Sequence, residues 1–137
     1  PVTRKSVATG PSPLSGRRSV LVVHEQEPLR QAVVRTLQAR GFRAHAAGSS
    51  REALESARVD RPDVILMDMD PPALDGWESA RRIKSDPVTR HILVVALSEN
   101  GQTDARNQAM RVGCDGFEPK PLDVEHLVES VQSLLPA

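Results

Sequence analysis

Polar side chains suited to phosphoryl chemistry follow four of the short apolar runs in this sequence. The pairs are Val20–Val23 with His24 and Glu25, Val64–Met67 with Asp68, His91–Leu97 with Ser98, and Gly116–Glu118 with Lys120. The carboxyl ends of parallel strands lie at one edge of a sheet, so we expect these side chains to converge. A carboxylate can act as a nucleophile, a metal can bridge acids and phosphate oxygens, and hydroxyl and ammonium groups can bind the remaining oxygens. The pattern predicts a phosphoryl site.

The elements that would position this site alternate regularly along the chain. Five apolar runs, including a weaker one at Phe42–Ala46, are separated by segments whose apolar residues recur at helical spacing. Ser49 and Glu52 match a capping box, and Gly41 and Gly113 follow predicted helices. Right-handed crossovers would place all the strands in one parallel sheet with helices on both faces. The sequence therefore predicts an α/β domain with five strands and five helices.

Composition and charge narrow the functional classes. Residues 1–18 carry four basic side chains and no acid and are rich in Pro, Ser and Gly, so we predict a flexible basic tail or linker before a domain at 19–137. The 14 basic and 18 acidic residues of that domain give it a net charge of −4, the opposite of what nucleic-acid binding favours. Apolar runs are too short to span a bilayer, and the single cysteine, Cys114, suits a reducing cytoplasm. We expect a cytoplasmic protein that binds neither nucleic acid nor membrane.

The sequence resembles the receiver domains of bacterial two-component response regulators, the CheY-like superfamily, over about residues 19–135. The motifs that carry the resemblance are Asp-Val-Ile-Leu-Met-Asp at 63–68, Leu-Asp-Gly at 74–76, Ala-Leu-Ser at 96–98 and Gly-Cys-Asp-Gly-Phe-Glu-Pro-Lys-Pro at 113–121. Residues 84–92 also resemble single-domain receivers of the cell-cycle and chemotaxis type. The resemblance implies a flavodoxin-like, doubly wound, five-stranded parallel sheet of order 2-1-3-4-5 with five helices.

The resemblance also implies a role in phosphorelay signalling. Asp68 would accept a phosphoryl group from a histidine kinase or a phosphotransfer protein. Ser98 and Lys120 would bind that group, and a cis peptide would precede Pro121. Phe117 stands at the position of the family's switch aromatic, which turns inward when the hydroxyl moves. Such a domain is not an enzyme, although it assists its own phosphorylation and dephosphorylation.

The resemblance further implies a cofactor and a binding surface. Mg²⁺ would be held by Glu25, by Asp68 and by the backbone carbonyl of Asp70. Output would be contact with a downstream protein through the face formed by the fourth helix, the fifth strand and the fifth helix.

The chain departs from the family pattern around the site. His24 and Glu25 stand where the family has two acids, and Mg²⁺ prefers oxygen ligands to imidazole. His24 is thus either a metal ligand or a polar packing residue. Glu99 follows Ser98 where the family favours a small residue, and it could crowd or electrostatically close the pocket. Pro71 precedes Pro72 where Met is common.

Two alternatives to a phosphorylated receiver stay open at this point. The departures at His24, Glu25 and Glu99 are typical of a degenerate receiver, which would bind partners without being phosphorylated. More remotely, Asp68 and Asp70 match the paired aspartates of haloacid dehalogenase-like phosphatases. Against that family, the pair follows the third apolar run rather than the first, and no acidic pair follows Lys120.

Overall fold

Strands and helices alternate throughout the computed structural model, which describes residues 18–69, 76–99 and 103–135. The strands are β1 (Ser19–Val23), β2 (Arg43–Ala47), β3 (Val64–Asp68), β4 (Leu93–Ser98) and β5 (Gly116–Pro119). The helices are α1 (Glu27–Ala39), α2 (Ser50–Val59), α3 (Gly76–Ser85), α4 (Thr103–Arg111) and α5 (Val124–Leu134). No helix in these three ranges has the length and apolar character needed to cross a membrane. The predicted tail lies, apart from Arg18, outside the described residues.

The five strands form one parallel sheet in the order β2-β1-β3-β4-β5, which confirms the predicted topology. The chain steps from β1 outward to β2 and then returns past β1 to β3, so the strand order reverses between β1 and β3. In sheets of this kind a ligand crevice opens outside the carboxyl ends of the strands at such a reversal. His24 follows β1 and Asp68 ends β3, so both residues lie at this point.

Alternation along the strands produces two separate apolar layers, one on each face of the sheet. The layer beneath α1 and α5 includes Val20, Val22, Val64, Leu66, Val95 and Leu97 from the strands. The layer beneath α2, α3 and α4 includes Leu21, Val23, Ile65, Met67, Val94 and Ala96. All residues of β3 are buried, as expected for a central strand covered on both faces.

Most helices and strands begin and end close to the residues that local sequence signals predict. The Ser49 hydroxyl accepts a hydrogen bond from the amide of Glu52 at 3.2 Å, as a helix cap does. The Glu52 carboxylate accepts from the amide of Gly48 at 2.9 Å and from the hydroxyl of Ser49 at 3.5 Å, so the backbone amide in this capping box is that of Gly48, one residue before the cap. The prediction of β4 from His91 was early by two residues, because the amide of Ile92 donates to the carbonyl of Thr89 in a turn.

Candidate functional site

An ion pair between Asp68 and Lys120 lies at the carboxyl edge of the sheet. Asp68 ends β3 and is 3% exposed, and the Lys120 ammonium donates to Asp68 Oδ1 at 2.8 Å. The Lys120 amide also donates to the carbonyl of Ser98 at 2.8 Å, and the peptide between Lys120 and Pro121 is cis, as predicted. The pair therefore joins the ends of β3 and β5 across the intervening strand β4.

Ser98 ends β4 beside this pair. It is buried and lies in register with Pro119 of β5. It is not among the residues that line the adjacent cleft. The structure thus brings Ser98 to the predicted sheet edge but holds it beneath the surface of the site.

A cleft of about 660 Å³ opens above Asp68. Its lining residues come from the segments that follow β1, β3, β4 and β5, and they are His24, Glu25, Gln26, Leu29, Asp68, Glu99, Lys120, Pro121 and Leu122. Glu25 and Glu99 are exposed, whereas Asp68 and His24 are buried at the base. The charged lining residues are among those that the sequence predicts. Gln26, Leu29 and Leu122 were not predicted, because neither an amide nor a leucine side chain singles out a phosphoryl site.

His24 is held in one orientation by the turn between β1 and α1. The amide of Gln26 donates to His24 Nδ1 at 3.0 Å, and the guanidinium of Arg30 donates to the His24 carbonyl at 2.8 Å. The other ring nitrogen, Nε2, lies 3.7 Å from Asp68 Oδ2. Burial lowers the pKa of His24 below its usual value, against the opposing effect of Asp68. Because Nδ1 accepts a hydrogen bond, it carries no proton, so the ring is assigned as neutral with its proton on Nε2.

The described donors at this edge fit a Mg²⁺ site poorly, because Mg²⁺ prefers oxygen ligands. The Nδ1 lone pair of His24 is occupied by the Gln26 amide, and Nε2 carries the proton, so the imidazole offers no lone pair to a metal. Among the described residues there is no group of three or more His, Cys, Asp or Glu side chains able to hold a metal ion. Asp70, whose carbonyl was predicted as a ligand, lies outside the described residues. Of the predicted ligands, the carboxylates of Asp68 and Glu25 are left among the described residues.

Gly76 fixes the position of the strand end that carries Asp68. A Cβ atom at Gly76 would overlap the carbonyl oxygen of Asp68 and would lie 2.7 Å from Cα of Met69. Because both contacts are with backbone, no side-chain rotation could relieve them. The glycine of the Leu-Asp-Gly motif therefore lets helix α3 begin directly against the end of β3.

Phe117 lies on β5 and is half-buried against the layer beneath α2, α3 and α4. The guanidinium carbon of Arg106, on α4, lies 5.0 Å from the centroid of the Phe117 ring, within the range of a cation–π contact. The side chain at the predicted switch position is thus covered by a cation from the neighbouring helix.

Comparison with known proteins agrees with this geometry. The family model of the response regulator receiver domain matches residues 20–132. The chain belongs to this family. The phosphatase alternative is not supported, since Asp68 follows the third strand and the match is to receiver domains.

The relatives of this receiver domain are bacterial response regulators. It is 32% identical over 119 residues to the phosphate regulon transcriptional regulatory protein PhoB of Pseudomonas aeruginosa, covering 86% of this chain and 52% of PhoB. The chain thus spans about half the length of that regulator. It is 30% identical over 118 residues to the polar-differentiation response regulator DivK of Brucella anthropi, covering 86% of this chain and 96% of DivK.

Solved structures of receivers share the fold. The chemotaxis protein CheY4 of Vibrio cholerae matches with a TM-score of 0.81 and 28% identity, over 87% of this chain and 99% of CheY4. The receiver domain of the sensor histidine kinase PA1611 of Pseudomonas aeruginosa matches with a TM-score of 0.73 and 28% identity, over 85% and 96% of the two chains. That structure holds a magnesium ion in its active-site cleft.

Proposed function

We propose that Asp68 of this receiver accepts a phosphoryl group from a histidine kinase or a phosphotransfer protein. The observation that carries the proposal is the Lys120 ammonium, 2.8 Å from Asp68 Oδ1 at the base of an open cleft. A buried carboxylate that faces a cation and can be reached through a cleft suits attack on a phosphorus atom.

The transfer makes one bond and breaks one. An oxygen of Asp68 forms a bond to phosphorus, and the bond between phosphorus and the donor's leaving atom breaks, with the electron pair going to the leaving group. Lys120 balances the negative charge that the phosphoryl group brings into the cleft. The Ser98 hydroxyl is the further candidate for binding a phosphoryl oxygen, once it moves from its buried position at the end of β4.

Output in this proposal is contact with a downstream protein in the cytoplasm, with no binding of nucleic acid or membrane. The face formed by α4, β5 and α5 suits this role. It carries Phe117, whose ring is contacted by the guanidinium of Arg106. It also carries, on α4, the apolar side chain of Met110, which is 69% exposed. In this proposal, movement of Phe117 would alter a face on which Met110 offers apolar surface to a partner.

Labelling with acetyl phosphate tests the proposal directly. The wild-type chain should gain one phosphoryl group, located at Asp68 by peptide mass spectrometry, and Asp68→Asn should gain none. Asp60→Asn is the matched control, since Asp60 is an exposed acid at the end of α2 outside the cleft. Labelling of Asp68→Asn at the wild-type rate would contradict the assignment.

A phosphorylation-independent binding module is the second candidate. The observation that favours it is His24, which replaces an acid at the base of the cleft and offers no lone pair to a metal. In that case the wild type would stay unlabelled by acetyl phosphate and by a cognate kinase in excess Mg²⁺, and Asp68→Asn would bind the partner with unchanged affinity.

A further inference from the structure

The Nε2 atom of His24 is a buried donor that the structure leaves unused. His24 is 4% exposed, and its Nε2 has no hydrogen-bond partner among the described residues. Asp68 Oδ2 lies 3.7 Å from Nε2, which is too far for a hydrogen bond. Buried polar groups are nearly always paired, so an unpaired one in a functional cleft requires an explanation.

The backbone fixes which ring nitrogen faces Asp68. The Gln26 amide donates to Nδ1 at 3.0 Å, and the guanidinium of Arg30 fixes the His24 carbonyl at 2.8 Å. The proton is thus on the ring nitrogen that lies 3.7 Å from Asp68 Oδ2. The same arrangement that prevents His24 from binding a metal makes it a hydrogen-bond donor at the point where the family has an acid.

We propose that the Nε2–H group of His24 donates a hydrogen bond to the phosphoryl group carried by Asp68, and that this hydrogen bond stabilises negative charge that a divalent cation would otherwise stabilise there. The inference rests on the proposed function of Asp68 as phosphoacceptor. What it adds to the proposed function is that this receiver takes up a phosphoryl group in the absence of divalent metal.

The chemistry needs no group that the chain does not supply. Lys120 Nζ lies 2.8 Å from Asp68 Oδ1 and His24 Nε2 lies 3.7 Å from Asp68 Oδ2, so a donor is placed near each carboxylate oxygen. With acetyl phosphate, an Asp68 oxygen bonds to phosphorus, the bond from phosphorus to the acetyl oxygen breaks, and acetate leaves with the electron pair. His24 keeps its proton throughout, and its N–H binds an oxygen that carries negative charge, which gives a strong hydrogen bond.

The test compares labelling of the full chain by acetyl phosphate in chelator and in Mg²⁺. We expect the wild type to be labelled in chelator nearly as fast as in Mg²⁺. His24→Met replaces the imidazole by an apolar side chain of similar size that has no donor. It should slow labelling in chelator by about tenfold or more, the effect of one charge-assisted hydrogen bond. His24→Gln keeps an N–H donor and should recover most of that loss. Circular dichroism melts establish that each variant is folded.

Nitrogen NMR of the imidazole provides a readout independent of rate. We expect Nε2 to be protonated and Nδ1 not, and the Nε2–H signal to shift on phosphorylation of the wild type. A wild type that is labelled only in Mg²⁺, or His24→Met labelled in chelator as fast as the wild type, would overturn the role of His24 while leaving Asp68 as phosphoacceptor. An Nδ1-protonated ring would overturn it as well. Absence of labelling in every condition would instead overturn the phosphoacceptor function and this inference with it.

Discussion

Lys120 Nζ and Asp68 Oδ1 lie 2.8 Å apart, although the two residues are 52 positions apart in the sequence. The contact exists because β3 and β5 both pair with β4 in a parallel sheet, so that the two residues reach the same edge. Asp68 is almost fully buried, and the side chain of Lys120 is 14% exposed. An ion pair so enclosed depends on both partners, because removal of one leaves a buried charge without its counterion.

We therefore predict that Lys120→Met lowers the free energy of unfolding by about 2–3 kcal/mol. The double variant Asp68→Asn with Lys120→Met should lose less than the sum of the two single variants, because neither charge is then left without its partner. Urea denaturation of the four proteins measures this coupling. Strict additivity of the single effects would show that the pair makes no net contribution.

The strands and the position of Asp68 could be predicted from the sequence because both follow from local pattern. An apolar run such as Val64–Met67 predicts a buried strand, and topology then brings the residues after each strand to one edge. The state of His24 could not be predicted in this way. It depends on the backbone amide of Gln26 and on the guanidinium of Arg30, which returns from α1 to the His24 carbonyl. Such contacts depend on the path that the backbone takes through a turn, and the types of the residues in the turn do not indicate that path.

The contact between Arg106 and Phe117 was equally inaccessible to sequence reasoning. The family motif predicts an aromatic residue on β5. Which side chain contacts the face of its ring depends on how α4 packs beside that strand. The weak apolar pattern of α4 specifies that packing poorly.

Gly76→Ala should destabilise the domain by roughly 1–3 kcal/mol, the usual cost of forcing atoms into a closely packed position. The added Cβ would meet the backbone of Asp68 and Met69, so the end of β3 must shift and labelling of Asp68 should slow. Gly116→Ala is the matched control, because its Cβ would meet side chains of Val95 and Leu134 at 3.4 Å or more. If the two variants lost equal amounts of melting temperature and of labelling rate, the close approach of backbone atoms at Gly76 would not explain the effect.

His126 should make folding stability depend on pH. Its Nδ1 lies 2.8 Å from Glu118 Oε1, and this hydrogen bond raises the pKa of His126 above its usual value of 6.5, with Glu129 and Asp123 adding to the effect. A raised pKa in the folded state means that folding favours the charged ring. The stabilisation is therefore fully present below pH 6.5 and is lost as pH rises through the folded-state pKa.

The stability difference between the wild type and His126→Gln should accordingly be largest at acidic pH and shrink above neutrality, as measured by urea denaturation across pH. Proton NMR should show the pKa of His126 falling in Glu118→Gln. A pKa of His126 that is unchanged by this substitution would assign the shift to another cause.

Mg²⁺ binding should be weak in the wild type, through Glu25 and Asp68, and should tighten in His24→Asp. The substitution exchanges a protonated ring nitrogen for an anionic oxygen, which Mg²⁺ prefers, and the gain should be about tenfold or more. Calorimetric titration measures the two affinities. Equal or tighter Mg²⁺ binding by the wild type would contradict the donor assignment at His24, and a preference for Zn²⁺ would identify the imidazole as a ligand.

Glu99 should slow phosphorylation through its charge. It is exposed and lines the cleft above Asp68, so its carboxylate repels an anionic phosphodonor before the donor reaches Lys120. Glu99→Ala should speed labelling by acetyl phosphate, and the gain should decrease as salt is added, since the screening length falls to about 10 Å at 0.1 M ionic strength. Glu55→Ala, which removes an exposed acid of α2 outside the cleft, changes the net charge equally and controls for it. A similar acceleration in both variants would assign the effect to net charge and not to the position of Glu99.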